Sequence, residues 1–161
     1  MAVRRRQVRQ LGGKRLLIAL VIFCAVFAPL ITSFPPDKLD VSNAKLLPGG
    51  AHLLGTDNFG RDIFSRVLSG AGTTLFIAAA TVAVGLAVGI LAGAFTGYFG
   101  GWVDEVLMRI NDVITAFPSI LLALVLISIL GSGKYNIIAA LSLLFIPSFA
   151  RVVRSEFARQ K

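Results

Sequence analysis

The side chains best equipped for chemistry crowd into residues 52–70, HLLGTDNFGRDIFSRVLSG, which hold His52, Asp57, Arg61, Asp62, Ser65 and Arg66. Three chemistries can be weighed against them. A metal centre needs several nitrogen, sulfur or carboxylate ligands, and His52 is the only histidine, with no second ligand beside it. Asp57 and Asp62 pass for a catalytic carboxylate pair, but each is followed four residues on by an arginine, Arg61 and Arg66. Acid four positions before base is the favourable order on a helix, worth about 0.2–0.5 kcal/mol per pair, so ion pairing accounts for both. Ser65 has no histidine base within reach in sequence, so nucleophilic catalysis is unsupported. No catalytic, metal-ligating or cofactor-binding residue is assigned, and no phosphate-loop pattern G-x4-GK-[ST] occurs.

The elements around this cluster are apolar. The chain of 161 residues is 56% hydrophobic and 15% charged, with a mean hydropathy of +0.82. Water-soluble domains carry about 25% charge, so the composition points to an all-α integral membrane protein whose apolar faces lipid can solvate. Four spans are expected, over about 16–31, 73–99, 113–130 and 137–153. The first begins after a basic head resembling a signal peptide, but Phe27-Ala28-Pro29-Leu30 offers no small-x-small cleavage site, and an uncleaved anchor is expected. Its single cysteine, Cys24, leaves no internal disulfide.

The net charge of +8 is distributed as a membrane topology requires. Six of the sixteen basic residues (Arg4, Arg5, Arg6, Arg9, Lys14, Arg15) precede the first span, and Arg151, Arg154, Arg159 and Lys161 follow the last. Basic flanks lie on the cytoplasmic side, and four spans return the chain to that side, so both termini are expected there. Without aromatic interleaving, nucleic-acid binding is not expected. Residues 32–72, with four acids and four bases, then lie outside. Within them Ile63, Phe64, Val67 and Leu68 form one apolar face, which predicts a short helix on the outer surface over 51–72, capped by Thr56 or Asp57 and feeding the second span.

Two further patterns lie in the spans. Gly85, Gly89, Gly93, Gly97 and Gly101 recur every fourth residue, a flat stripe that admits another backbone closely. The partner is either another helix of this chain or a second subunit. After it comes GYFGGWVDEVLMRINDVITAFPSILLAL (residues 97–124), where Trp102 suits the headgroup interface and Asp104, Glu105, Arg109 and Asp112 decorate a helix along or into the inner surface. Arg109 is placed to pair with Glu105. Pro118 predicts a kink, and Phe117 and Ser119 beside it either border a solute path or simply shape the bundle. Ser142 and Ser148, the latter following Pro147, either face a cavity or bond helix carbonyls.

With both motifs on the page, H-x-LGTD-x2-GRD-x2-SR-x3-G and GYFGG-W-x-D-x3-MR-x2-D-x3-AFP, the chain resembles the C-type permease subunit of the dipeptide, oligopeptide and nickel ABC importers. The motif positions are Gly55, Thr56, Asp57, Gly60, Arg61, Asp62, Ser65, Arg66, Asp104, Arg109, Asp112 and Pro118. Residues 1–50 correspond to the basic tail, first span and start of the outer segment, residues 51–72 to the external helix, and residues 73–161 to the N-terminal part of a type I ABC importer transmembrane domain. The resemblance implies a bacterial or archaeal inner-membrane location. It implies four kinds of neighbour: a second homologous permease, two cytoplasmic ATPases, an extracytoplasmic solute-binding protein and the bilayer. ATP hydrolysis then belongs to separate subunits, and no cofactor is expected here.

In that family a coupling motif E-A-A-x3-G and two more spans follow the fourth span, so the resemblance is to the N-terminal half to two-thirds of a permease. Coupling residues are therefore unassigned, and transport by residues 1–161 alone is not expected. The resemblance implies import of di- and oligopeptides, with nickel or another small solute as the alternative. A shortened, non-transporting membrane interaction protein is a third. Membrane-embedded enzymes and proton-coupled carriers fit poorly, since the spans carry essentially no ionisable side chain.

Overall fold

The computed structural model describes residue 19 and residues 21–159. The basic tail, and residues 16–18 and 20 of the expected first span, lie outside the described residues. Among the described residues the regular structure is helical, joined by turns and two isolated bridges. The chain divides into two compact units, Met1–Phe76 and Ile77–Lys161.

In the first unit, residues 21–26 are helical and, after a bend at Phe27, α1 (Ala28–Ile31) adds one turn with Pro29 at its start, where the missing N–H costs no helix bond. Residues 32–62 have no long element. They hold a 3-10 turn, Val41–Asn43, and the bridges Gly49–His52 and Thr56–Asp62. The helix expected over 51–72 is absent as a separate element. Gly55 and Gly60 both sit at φ +75°, which keeps residues 55–62 in a folded loop, and helix begins only at Ile63. It then runs without interruption as α2 (Ile63–Phe99), 37 residues and about 55 Å long. Gly70 and Gly72 weaken it locally but no proline breaks it, so the apolar residues 63, 64, 67 and 68 are its first turns. At Gly72 a methyl group would meet the Ala25 carbonyl oxygen at 3.0 Å, so the first helical segment approaches α2 closely there.

In the second unit, Gly100 (φ +61°) and Gly101 (φ +52°) turn the chain into α3 (Gly101–Ala116). The single span expected over 113–130 is broken. Phe117 and Pro118 are both extended (ψ 142° and 120°), and α4 (Ser119–Leu130) leaves at 93° to α3. The cause is local: proline disfavours helix at the residue before it and supplies no N–H. At 12 residues α4 is about 18 Å long, less than the roughly 30 Å of hydrocarbon. The last helix, α5 (Lys134–Arg159), contains the buried Pro147. α2 and α5 are each long and apolar enough to cross a membrane, and α3 with α4 make a third candidate if counted as one bent span.

Candidate functional site: a knotted outer loop, a glycine seam and a helix-pair groove

The first motif folds into one hydrogen-bonded knot. The Asp57 carboxylate accepts from the backbone N–H groups of Phe59 (2.8 Å) and Arg61 (3.0 Å), from Arg61 Nε (2.8 Å) and from Arg66 Nη1. Thr56 Oγ1 donates to the Asn43 carbonyl and accepts from Leu46 N–H at 2.9 Å. Asp62 accepts from Ser65 N–H at 2.7 Å, capping α2, and its other oxygen lies 2.9 Å from His52 Nδ1. The helical pairing expected from spacing is therefore half right. Asp57 and Arg61 do pair, but across a turn, while Arg66 joins Asp57 and leaves Asp62 to His52. The cap is Asp62, rather than Thr56 or Asp57. Ser65 is 1% exposed, so its hydroxyl is closed to a substrate and offers no accessible nucleophile.

Both aspartates are held in their charged form. Loss of water around Asp57 works to raise its pKa, but the Arg61 and Phe59 N–H groups and the Arg61 guanidinium outweigh that and bring it down to about 2. At Asp62 desolvation likewise works upward and is outweighed by hydrogen bonding from Ser65 and His52, so its pKa is lowered. A depressed carboxylate stabilises the fold above its unfolded pKa, near 3.9, and loses that contribution as pH falls through the folded value. Amide hydrogen exchange of residues 55–62 is thus expected to stay slow from neutral pH to about pH 4 and to quicken, after correction for intrinsic rates, as pH falls from there towards about 2. Asp57→Asn should flatten this dependence, and an unchanged profile would show that Asp57 does not hold the loop.

The glycine stripe is a seam within this chain. Gly85, Gly89, Gly93 and Gly97 of α2 face Phe145, Phe149, Ala150, Val153 and Phe157 of α5. A methyl group at Gly89 would stand 2.5 Å from Phe149 Cβ. At Gly93 it would stand 2.5 Å from the Ala150 carbonyl oxygen, and at Gly97 2.5 Å from Phe157 Cβ. Gly101 lies beyond the seam, with open space around it. Ser142 belongs to the seam as well. It is 2% exposed, and its hydroxyl reaches the Ile138 carbonyl at 2.6 Å and the Thr81 carbonyl of α2 at 3.2 Å.

The remaining serines lie elsewhere. Ser119 opens α4, Ser148 lies midway along α5, and both line an open groove of about 380 Å³ with Ile120, Leu141, Leu144 and Phe145. Its walls are apolar apart from two hydroxyls, a composition suited to organic solutes that need few fixed polar contacts. Phe117, 57% exposed, stands at the break, two residues before Ser119. Of the four residues singled out for a solute path, the structure brings two together and assigns Ser142 to packing.

In the second motif, Asp104 is bound through both carboxylate oxygens by Arg154 of α5, and Arg151 of α5 donates to Thr115 Oγ1 at 2.9 Å. Neither contact was visible in the sequence, because partners 50 and 36 positions apart leave no periodic signal. Among the described residues no ion pair joins Glu105 and Arg109, and Arg109 and Asp112 are exposed.

Comparison with known proteins places this geometry. Residues 85–161 match the model of the family described as binding-protein-dependent transport system inner membrane component. Over 140 residues, 86% of the chain, it is 49% identical to the glutathione transport system permease protein GsiD of Shigella flexneri. Over the same length it is 45% identical to that of Escherichia coli O157:H7 and 41% to that of Pectobacterium atrosepticum. In each case the matched part is 46% of the relative, so the chain spans about half the length of the curated relatives it matches. Residues 85–161 are thus those of the binding-protein-dependent transport system inner membrane component family, and the similarity to ABC transporter permeases extends over 86% of the chain.

Proposed function

We propose that this chain forms the N-terminal part of a permease for small peptides in an ATP-driven importer, and that the groove between α4 and α5 borders the solute's path. The observation that carries the reading is the groove itself. It opens where Pro118 breaks the third expected span, between α4 and α5, while the glycine seam packs α5 against α2. Broken helices bordering a cavity are a recurring construction in transporters, because backbone polar groups freed by the break need protein or water rather than lipid. The relatives are permeases of glutathione, a peptide, which favours the peptide branch over nickel.

The partners in this reading are a second permease, two ATPases and a solute-binding protein, with residues 1–15 in the cytoplasm, a side that their six basic residues favour. The test is uptake into proteoliposomes that contain the full-length chain with these partners. ATP-dependent accumulation of labelled glutathione or a dipeptide is expected. A complete complex that accumulates neither would overturn the peptide reading.

The groove hydroxyls should tune that activity modestly. Ser148→Ala is expected to raise the KM for peptide about 3- to 10-fold with little change in maximal rate, the loss of one hydrogen bond worth about 0.5–1.5 kcal/mol. Ser142→Ala should instead lower the amount of assembled protein and leave KM alone.

A further inference from the structure

We propose that Asp104 and Arg154 are positioning residues for the groove: their two-toothed ion pair latches α3, a helix hinged at both ends, to α5 and thereby fixes where α4 begins. The inference rests on the groove reading above for its consequence in transport, but its geometry stands on other contacts. At its start α3 has two successive glycines of positive φ, Gly100 before it and Gly101 as its first residue, with no heavy atom within 4 Å of the place a side chain would occupy at either. At its end the extended pair Phe117-Pro118 replaces helix. A segment between two such joints is free to swing unless something holds it.

What holds it is α5, at two points. Arg154 grips Asp104, in the first turn of α3, through both carboxylate oxygens. Arg151, one helical turn earlier on α5, reaches Thr115 in the last turn of α3 at 2.9 Å, and Thr115 Oγ1 also bonds the Asn111 carbonyl at 2.9 Å. Arg154 has a rigid base. Its backbone nitrogen lies 3.1 Å from where a methyl group on Gly93 would sit, in the tightest part of the α2–α5 seam.

The consequence follows from chain length. Two residues separate Ala116 from Ser119, so any swing of α3 displaces the first residue of α4. Ser119 forms one wall of the groove and Ser148 of α5 the other. One helix therefore carries both the groove's far wall and the clamp that sets the near wall. A bidentate guanidinium–carboxylate pair suits this task because it fixes orientation as well as distance, which lysine would not.

The test uses the full-length chain assembled with its partners, with Cys24→Ser and the pair Ser119→Cys and Ser148→Cys. The readout is the rate of cross-linking by thiol-specific linkers of graded length. Asp104→Asn and Arg154→Gln are each expected to slow the short-linker reaction about tenfold and to flatten its dependence on linker length, as a ligated pair gives way to a spread of positions. Arg154→Lys should fall between, and the exchange Asp104→Arg with Arg154→Asp should recover the parent rate within about twofold, which a merely destabilised helix would not do. Co-purification with the partner subunits shows that each variant is assembled.

An unchanged cross-linking profile in assembled Asp104→Asn, or an exchange variant no better than the single changes, overturns the latch. Peptide uptake in the same membranes separates the two claims. Cross-linking that loosens while the KM for peptide stays fixed keeps the latch and removes the solute from this groove.

Discussion

Gly93→Leu in the full-length chain is expected to abolish accumulation of the assembled permease. Even the methyl of an alanine would stand 2.5 Å from the Ala150 carbonyl oxygen, 2.8 Å from Val153 Cβ and 3.1 Å from Arg154 N. Two of those three atoms are backbone, so no rotamer change relieves the contact and the helices must separate. Overpacking of a close seam costs about 1–3 kcal/mol for small additions, and a leucine side chain adds three more carbons. Against a typical total stability of 5–15 kcal/mol, about 4 kcal/mol or more at one site is enough to lose the protein to degradation. Gly89→Leu should behave alike, because Phe149 Cβ and the Ile146 carbonyl stand at 2.5 and 3.2 Å. Gly70, in the same helix with nothing within 4 Å, is the control: Gly70→Ala should be neutral or stabilise by about 0.5–1 kcal/mol. Assembly is read by co-purification of the partner subunits, and normal yields of both leucine variants would sink the seam.

Gly60→Ala should dismantle the outer loop while leaving the two long helices in place. Gly60 has φ +75°, which alone costs a side-chain-bearing residue about 1–2 kcal/mol. The larger penalty is the Asp40 backbone, whose carbonyl oxygen lies 1.6 Å from the position of the new methyl group. Relief requires residue 40 to leave, and with it the Asp40 N–H to Phe59 carbonyl bond of 3.1 Å that joins the two sides of the loop. Trypsin should then cut at Lys38, Lys45 or Arg61 at least about tenfold faster than in the parent, because the locally open state becomes populated. Gly50→Ala isolates the conformational part: its φ is +55° with open space around it, so only the smaller strain applies. Equal proteolysis of Gly60→Ala and Gly50→Ala would show that the approach of Asp40 does not determine the loop.

How much of this was legible in the sequence depended on the range of the interaction. The apolar lengths of residues 73–99 and 137–153 were plain because lipid acts on every residue of a span, and the fourfold spacing of the glycines marked one helix face. The spacing did not say which helix covers that face, since the answer lies 57 positions away for Gly93 and Ala150. Pro118 signalled a kink, and local proline sterics account for the extended Phe117 and Pro118, but a proline alone does not encode the 93° between α3 and α4. In the outer segment the acid-to-base spacing suggested helix, and it failed because Gly55 and Gly60 supply positive φ in the midst of the pattern. Their effect outweighs ion pairs worth a few tenths of a kcal/mol. The partners of Asp62 and Asp104, His52 and Arg154, are contacts between elements that one-dimensional periodicity does not encode.

The most direct test of the central claim is protection of Ser148→Cys from a small, membrane-impermeant thiol reagent, in a Cys24→Ser background of the full-length complex, with and without peptide. The groove account predicts that ATP-driven turnover exposes the thiol and that saturating glutathione or dipeptide slows its modification about tenfold or more, while a cysteine at exposed Trp102 of α3 is unaffected. Modification of Ser148→Cys at the same rate with and without transported peptide would place the solute's path outside the α4–α5 groove.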